Sequence, residues 1–149
     1  MTTLIHQRVE LAQRALNPTV LCKMESGWAV LGDRQMLNGY CLLLPDPVPA
    51  DLNALSIPER EKFLRDMALI GDALLEVTGA VRINYEILGN SEKALHAHII
   101  PRFEAEPDDL AKGPVWFYDW DQAPRFDPKK HKPLMDKLRA AIAKRIVPA

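Results

Sequence analysis

The stretch Leu88–Arg102 reads LGNSEKALHAHIIPR and contains two of the four histidines in the 149-residue chain. Its apolar residues predict a β-strand over Leu95–Ile100 that ends before Pro101, because proline cannot donate a backbone hydrogen bond to a neighbouring strand. Successive side chains of a strand point to opposite faces of the sheet. The rings of His96 and His98 are therefore expected on one face, about 7 Å apart.

A pair of imidazoles on one sheet face has three interpretations, and the pattern alone does not choose among them. The histidines are structural residues, or they bind a metal ion, or they take part in catalysis. A metal site needs a third ligand such as Glu86 or Glu104, since no other cysteine or histidine lies at a suitable spacing. Catalysis is chemically reasonable, because an imidazole with a pKa of about 6.5 is partly unprotonated near pH 7.

The other segments place this strand in an α+β fold, a mainly antiparallel sheet with helices packed on one face. The predicted elements are a helix over 3–16, strands over 19–25, 28–31 and 40–44, a helix from the Ser56 cap to Gly79, strands over 81–88 and 95–100, and a C-terminal helix behind Pro133. The clearest boundary is Ser56-Ile-Pro-Glu59, which has the pattern of a capping box. Few connections are long enough for parallel crossovers, which favours antiparallel pairing.

An acidic, proline-spaced arm over 103–132 includes GPVWFYDW at positions 113–120. Its many helix and strand breakers predict an ordered arm without a long regular element. Its aromatic residues are expected to pack on the core or on a second subunit, or to wall a pocket. The chain 1–149 is expected to form a single domain, with the arm and the last helix making up 104–149.

Composition argues against several classes of protein. Nineteen basic and twenty acidic residues leave a net charge of -1, so no overall attraction to nucleic acid is expected. No apolar stretch approaches the ~18 residues of a membrane span, and no cofactor is predicted. Cys22 and Cys41 form no CxxC motif and lie in apolar runs. We expect both to be buried, reduced thiols of a cytoplasmic protein.

The stretch Leu88–Arg102 resembles the signature of the histidine triad (HIT) family of nucleotide hydrolases and transferases. That signature is His-φ-His-φ-His-φ-φ, where φ is apolar, and Pro-Arg often follows it. Aligned on the final Ile-Ile-Pro-Arg, His96 matches the middle histidine and His98 the last. Ala94 stands where the family has its first histidine.

The resemblance extends upstream and covers about residues 20–103. The segment 39–45, GYCLLLP, is similar to the family's Gly-His-apolar-Pro strand, with Tyr40 at the place of a supporting histidine. The long predicted helix lies between the two strands, as it does in the family. The local sequence is most similar to the bacterial branch that resembles dinucleoside polyphosphate hydrolases.

Membership would imply a five-stranded antiparallel sheet, a homodimer, and a nucleotide whose α-phosphate lies over the histidine strand. The resemblance implies that His96 is the nucleophile, forming a nucleotidyl-histidine that water cleaves. It also implies that the main-chain carbonyl at position 94 accepts from the other ring nitrogen, which Ala94 can still do. His98 is expected to donate to phosphate oxygens and to help the leaving group depart.

Weaker candidates surround these two histidines. The expected substrate-binding residues are Asn90, Asn84, Asp33, Tyr40 and Arg102. His6 and His131 are expected to be surface residues.

Two alternatives to an active hydrolase or transferase of dinucleoside polyphosphates or nucleoside phosphoramidates stay open. One is a nucleotide-binding protein that lost turnover when Ala94 and Tyr40 replaced two histidines. The other is a metal-dependent hydrolase that uses His96 and His98 as ligands.

Overall fold

The computed structural model describes residues 2–146 of the chain. Its helices are α1 (Leu4–Gln13), α2 (Ile57–Thr78), α3 (Asp108–Ala111) and α4 (Lys132–Ile146), and its strands are β1 (Val20–Lys23), β2 (Gly27–Leu31), β3 (Cys41–Pro45), β4 (Arg82–Glu86) and β5 (Ala97–Arg102). The strands form one sheet in the order β1-β2-β3-β5-β4, and every neighbouring pair is antiparallel. The predicted α+β class and five-stranded antiparallel sheet are therefore confirmed.

The two faces of the sheet are covered differently. One face packs against α2 and α4, and this main core includes Phe63, Ile70 and Leu138, none of which is exposed. On the opposite face α1 packs through Ile5 and Val9 against strand residues of β2 and β3, so helices lie on both faces and not on one as expected. The histidines lie on this second face, where helices cover only part of the sheet.

Local sequence explains the helix boundaries. Ser56 accepts from the backbone N–H of Glu59, and the Glu59 carboxylate accepts from the backbone N–H of Ser56, so the predicted capping box begins α2. Gly79 ends α2 with a φ of 74°, a left-handed conformation that glycine adopts without steric cost. Thr3 and His6 form a similar reciprocal cap at the start of α1.

The strand that carries the histidines differs from its predicted bounds. It begins at Ala97, so His96 precedes it, and it continues through Pro101 to Arg102. Pairing between β3 and β5 ends at Ile99, so Pro101 lies beyond that ladder, where a missing N–H donor is tolerated.

Two other expectations about individual side chains are wrong. His131 is buried rather than on the surface, because its ring stacks on Phe126 and Nδ1 accepts from the backbone N–H of Asp127. Cys41 is buried as expected, but Cys22 is only partly buried; both are free thiols. Within residues 2–146, no helix has the length and apolar character needed to cross a membrane.

Candidate active site

The two histidine rings lie together on the sheet face opposite α2 and α4. Their centroids are 4.8 Å apart and the rings meet edge to face, closer than the ~7 Å expected from strand geometry. His96 is buried with 6% of its surface exposed, whereas His98 is partly exposed. The predicted shared face is therefore observed, and the two imidazoles are in direct contact.

His96 is held by the backbone. Its Nδ1 lies 2.7 Å from the carbonyl oxygen of Ala94. A carbonyl oxygen only accepts hydrogen bonds, so Nδ1 carries the hydrogen. In the neutral ring, Nε2 is consequently unprotonated and has a lone pair. This is the contact that the resemblance implies at position 94, and it needs no histidine side chain there.

His98 is held by a side chain. Its Nδ1 lies 2.6 Å from the hydroxyl oxygen of Tyr40, and the two rings are stacked with centroids 5.9 Å apart. Burial, with a smaller contribution from the nearby ring of His96, lowers the pKa of His98 from 6.5 to about 4. His98 is therefore neutral at pH 7.

Two glycines allow Tyr40 to reach this position. Gly39 has a φ of 108°, which residues with a side chain rarely adopt, and it turns the chain into β3. A Cβ at Gly32 would lie 2.5 Å from the Tyr40 ring, so only glycine lets the ring lie this close to the backbone. Burial raises the pKa of the Tyr40 hydroxyl well above its usual value, and the hydroxyl stays protonated.

Residues 114–123 of the arm, the aromatic cover, lie over the histidines. Trp116 meets the His98 ring edge-on at 5.0 Å and stacks on Trp120 at 5.4 Å. The indole N–H of Trp116 donates to the Glu86 carboxylate, and Glu86 is the β4 residue paired with His98. Trp116 and Trp120 of the arm therefore pack over the histidine face of the sheet, as one of the expected arrangements required. Phe117 does not, because 69% of its surface is exposed.

A cleft of about 190 Å³ opens beside Tyr40, between α1, the sheet and the aromatic cover. Its walls are apolar and its mouth is charged. The lining residues include Leu4, Ile5, Arg8, Val30, Asp33, Arg34, Tyr40, Leu42, Leu44 and Trp120. Trp120 lines this cleft, and its indole nitrogen is buried without a hydrogen-bond partner among residues 2–146.

The other predicted binding residues are placed differently. Asp33 reaches the mouth of the cleft, where its carboxylate accepts two hydrogen bonds from Arg8 at 2.9 and 2.6 Å. Asn90 is exposed in the loop between β4 and β5. Asn84 accepts from the Arg102 guanidinium at 2.8 Å.

Arg102 is engaged by the protein itself. It forms a buried ion pair with Glu106 at 2.9 Å, and further N–H groups donate to Asn84 and to the carbonyls of Leu110 and Gly113. All five guanidinium N–H donors are used in this way. The expectation that Arg102 neutralises phosphate charge is therefore not supported, and its contacts instead fasten the arm to the sheet.

The structure also tests the idea of a metal centre. No group of three or more histidine, cysteine, aspartate or glutamate side chains within residues 2–146 is arranged to hold a metal ion. Glu86, one of the two possible third ligands, is bonded to Trp116 instead.

Arg8 was not predicted as a contributor to the site. Glu86 was considered only as a third metal ligand, and Trp116 and Trp120 only as aromatic residues of the arm that pack or wall a pocket. Arg8 lies on α1 and Glu86 on β4, where the spacing of apolar residues predicts which side chains are buried but not which ones belong to a site. For the two tryptophans, the only sequence signal was the density of aromatic residues in GPVWFYDW.

Comparison with known proteins identifies the fold. No protein-family model matches the chain, and no curated protein has significant sequence similarity to it. A histidine triad protein from Sinorhizobium meliloti 1021 is 22% identical with a TM-score of 0.72, over 82% of this chain and 87% of that chain. A histidine triad protein from Marinobacter aquaeolei VT8 is 18% identical with a TM-score of 0.75, over 99% and 100%.

A third match has a named activity. The diadenosine triphosphate hydrolase of Plasmodium falciparum is 13% identical with a TM-score of 0.65, over 87% of this chain and 80% of that chain. Identities this low show a shared fold and leave the activity to be tested. For the fold, the resemblance predicted from Leu88–Arg102 is confirmed: the chain has the fold of the histidine triad proteins.

Proposed function

We propose that this protein is a nucleotide hydrolase or nucleotidyltransferase, a member of the histidine triad family that cleaves at the α-phosphate of a dinucleoside polyphosphate or a nucleoside phosphoramidate. The observation that carries the proposal is the 2.7 Å contact between His96 Nδ1 and the Ala94 carbonyl. It leaves Nε2 as an unprotonated nitrogen, which is the state a nucleophilic imidazole requires.

The proposed reaction has two steps. In the first, Nε2 of His96 bonds to the α-phosphorus while the bond from phosphorus to the leaving group breaks, and the bonding electrons depart with that group. In the second, water attacks the phosphorus, the N–P bond breaks, and the nucleoside monophosphate is released with loss of one proton. His98, 4.8 Å away by ring centroids, would stabilise charge on the oxygens during both steps.

The cleft beside Tyr40 is proposed to take the nucleoside. Apolar walls suit a base, and the Trp120 side chain is among those that line the cleft. Asp33 at the mouth can accept from ribose hydroxyl groups, provided that it keeps lone pairs free beside Arg8. Among the solved structures of this fold are a Sulfolobus tokodaii protein described as a hypothetical histidine triad nucleotide-binding protein and the Plasmodium hydrolase.

A nucleotide-binding protein without turnover is the second candidate, and one observation favours it. Trp116 packs against His98 and is tied to Glu86, so the aromatic cover restricts the space over the histidines. If the cover did not move, a nucleotide would bind in the cleft without its phosphate reaching His96.

The deciding experiment incubates the protein with a panel of dinucleoside polyphosphates and nucleoside phosphoramidates, identifies the products, and searches for an acid-labile, base-stable nucleotidyl adduct. His96→Ala is expected to abolish the adduct and reduce turnover at least 10³-fold, while nucleotide affinity changes only a few-fold. His6→Gln is the matched control, because it removes an imidazole outside the site and keeps a residue suited to the α1 cap. Nucleotide binding without turnover in the unmodified protein would favour the second candidate, and an adduct that persists in His96→Ala would contradict the assignment.

We further propose that the protein is a cytoplasmic homodimer. β4 is the last strand of the sheet, and Val81, Tyr85 and Leu88 are exposed on it or beside it. An unpaired edge strand with apolar neighbours favours association with a second copy. Light scattering should give twice the 16.8 kDa chain mass at micromolar concentration, and a value near 16.8 kDa would contradict the dimer.

A further inference from the structure

The Tyr40 hydroxyl imposes one tautomer on His98. Tyr40 is buried with 7% of its surface exposed, and within residues 2–146 its hydroxyl oxygen has His98 Nδ1 as its single hydrogen-bond partner, at 2.6 Å. The hydroxyl hydrogen therefore has one acceptor available. Donation from Tyr40 to Nδ1 satisfies both groups, and the hydrogen of the neutral His98 ring must then be on Nε2.

A second proton on His98 would disturb this arrangement. Nδ1–H would have to donate to the Tyr40 oxygen, and the buried Tyr40 hydrogen would lose its acceptor, at a cost of about 1–3 kcal/mol. The ionisable groups that face His98 are His96 before β5, Tyr40 on β3 and Glu86 on β4, while Trp116 adds an apolar edge. Glu86 is the acidic neighbour, and its carboxylate accepts from Trp116.

We propose that Tyr40 is a positioning residue that keeps His98 a neutral Nε2–H donor and thereby selects substrates whose leaving group departs without receiving a proton. This inference rests on the proposed function and narrows its substrate class to phosphoanhydrides, such as dinucleoside polyphosphates. A neutral imidazole N–H stabilises negative charge on oxygen but is a poor proton donor. The lowered pKa of His98 agrees with this role.

The chemistry of the two leaving groups explains the selection. When the α-phosphorus bond to a bridging oxygen of a phosphoanhydride breaks, the electrons leave on a phosphate whose charge is stable in water, and no proton is needed. When a phosphoramidate P–N bond breaks, the nitrogen must gain a proton before or during departure, because an amide anion is far too basic to leave. With His98 held neutral, that proton has to come from solvent.

The test compares kcat/KM for diadenosine tetraphosphate and for an adenosine 5′-phosphoramidate of a primary amine, from pH 5.5 to 8. The unmodified protein should favour the phosphoanhydride at least 100-fold at pH 7. The ratio of phosphoramidate to phosphoanhydride kcat/KM should rise as the pH falls, because effects on the shared nucleophile cancel in the ratio and only the phosphoramidate leaving group needs a proton. Equal rates, or identical pH profiles, would overturn the proposal.

Tyr40→Phe removes the hydroxyl and leaves the ring stack. The phosphoanhydride kcat/KM should fall about 3- to 10-fold, as expected for loss of one hydrogen bond, while the phosphoramidate value should hold or rise. The ratio of phosphoanhydride to phosphoramidate kcat/KM should therefore fall by at least about 3- to 10-fold. Tyr85→Phe is the matched control, since Tyr85 lies on β4 against Gly71 of α2, on the other face of the sheet. A preference that Tyr40→Phe leaves unchanged would overturn the proposal.

A measurement independent of turnover separates this inference from the proposed function. Long-range ¹H–¹⁵N NMR correlations of the histidine rings distinguish protonated from unprotonated nitrogens. We expect His98 to have Nε2 protonated and Nδ1 unprotonated from pH 6 to 8, and Tyr40→Phe to lose that preference. A ring protonated at Nδ1 would refute the role of Tyr40, whereas the expected tautomer without turnover on either substrate would refute only the proposed function.

Discussion

At one end of β5 the Arg102 guanidinium has all five N–H donors bonded to other parts of the protein, whereas near the other end each histidine ring bonds the protein through one nitrogen. Both ends carry polar side chains on the same face of the sheet. The saturated end holds the arm in place, and the half-saturated end retains one nitrogen per ring for chemistry. Residue type alone therefore does not tell a binding group from a structural one; the number of unused donors and acceptors does.

Breaking the saturated end should have the largest effect on stability. Arg102→Met removes the cation paired with the buried Glu106 carboxylate, which keeps its hydrogen bonds from Tyr118 and the Phe103 backbone N–H. It also removes the guanidinium donor to two backbone carbonyls, and loss of one partner of a buried ion pair typically costs about 3–5 kcal/mol. Urea unfolding should show a loss of this size. Arg82→Met is the matched control, because Arg82 pairs with Arg102 across β4 and β5 but is exposed, and it should change stability by less than about 0.5 kcal/mol. Equal effects of the two variants would contradict the structural role of Arg102.

Breaking the half-saturated end should affect rate more than stability. His98→Ala removes the proposed donor to the phosphate oxygens, and loss of one such donor costs about 10²- to 10³-fold in kcat. Nucleotide affinity, measured by calorimetry with a non-hydrolysable analogue, should change only a few-fold. Weaker affinity with unchanged kcat would instead make His98 a binding residue.

The same histidine should make the protein sensitive to acid. The pKa of His98 is about 4 in the folded protein and has its ordinary value of 6.5 in the unfolded chain, so between these values the unfolded chain binds more protons and stability decreases as the pH falls. The loss has an upper bound of about 3 kcal/mol at pH 4. Stability measured at pH 7 and pH 4.5 should fall less for His98→Asn than for the unmodified protein. Parallel losses in both proteins would assign the acid sensitivity to other groups.

The fold was more predictable from the sequence than the site. Capping at Ser56 and Glu59 and the apolar periods that follow are local signals, and they located α2 correctly. The contacts that define the site join segments far apart in the chain, such as Tyr40 with His98 and Trp116 with Glu86. Sequence patterns predict which residues share a strand face, but they do not report which lone pair is already used. This is why the sequence predicted that His96 and His98 share one face of the sheet. It did not predict that the guanidinium of Arg102 is buried and fully hydrogen-bonded within the protein.

The smallest expected effect on activity comes from restoring a histidine at position 94. This substitution tests whether His96 needs the side chain at that position in addition to its backbone carbonyl. Ala94 is 3% exposed and packs with Ile5 and Val9 of α1, so Ala94→His has to displace that helix and should cost about 1–3 kcal/mol of stability. The Ala94 carbonyl already fixes the His96 tautomer, so kcat should change less than about threefold among the molecules that stay folded. Ala94→Val, which enlarges the side chain without adding an imidazole, controls for the packing change. A rate increase of tenfold or more in Ala94→His, absent from Ala94→Val, would show that the side chain rather than the backbone was the missing component.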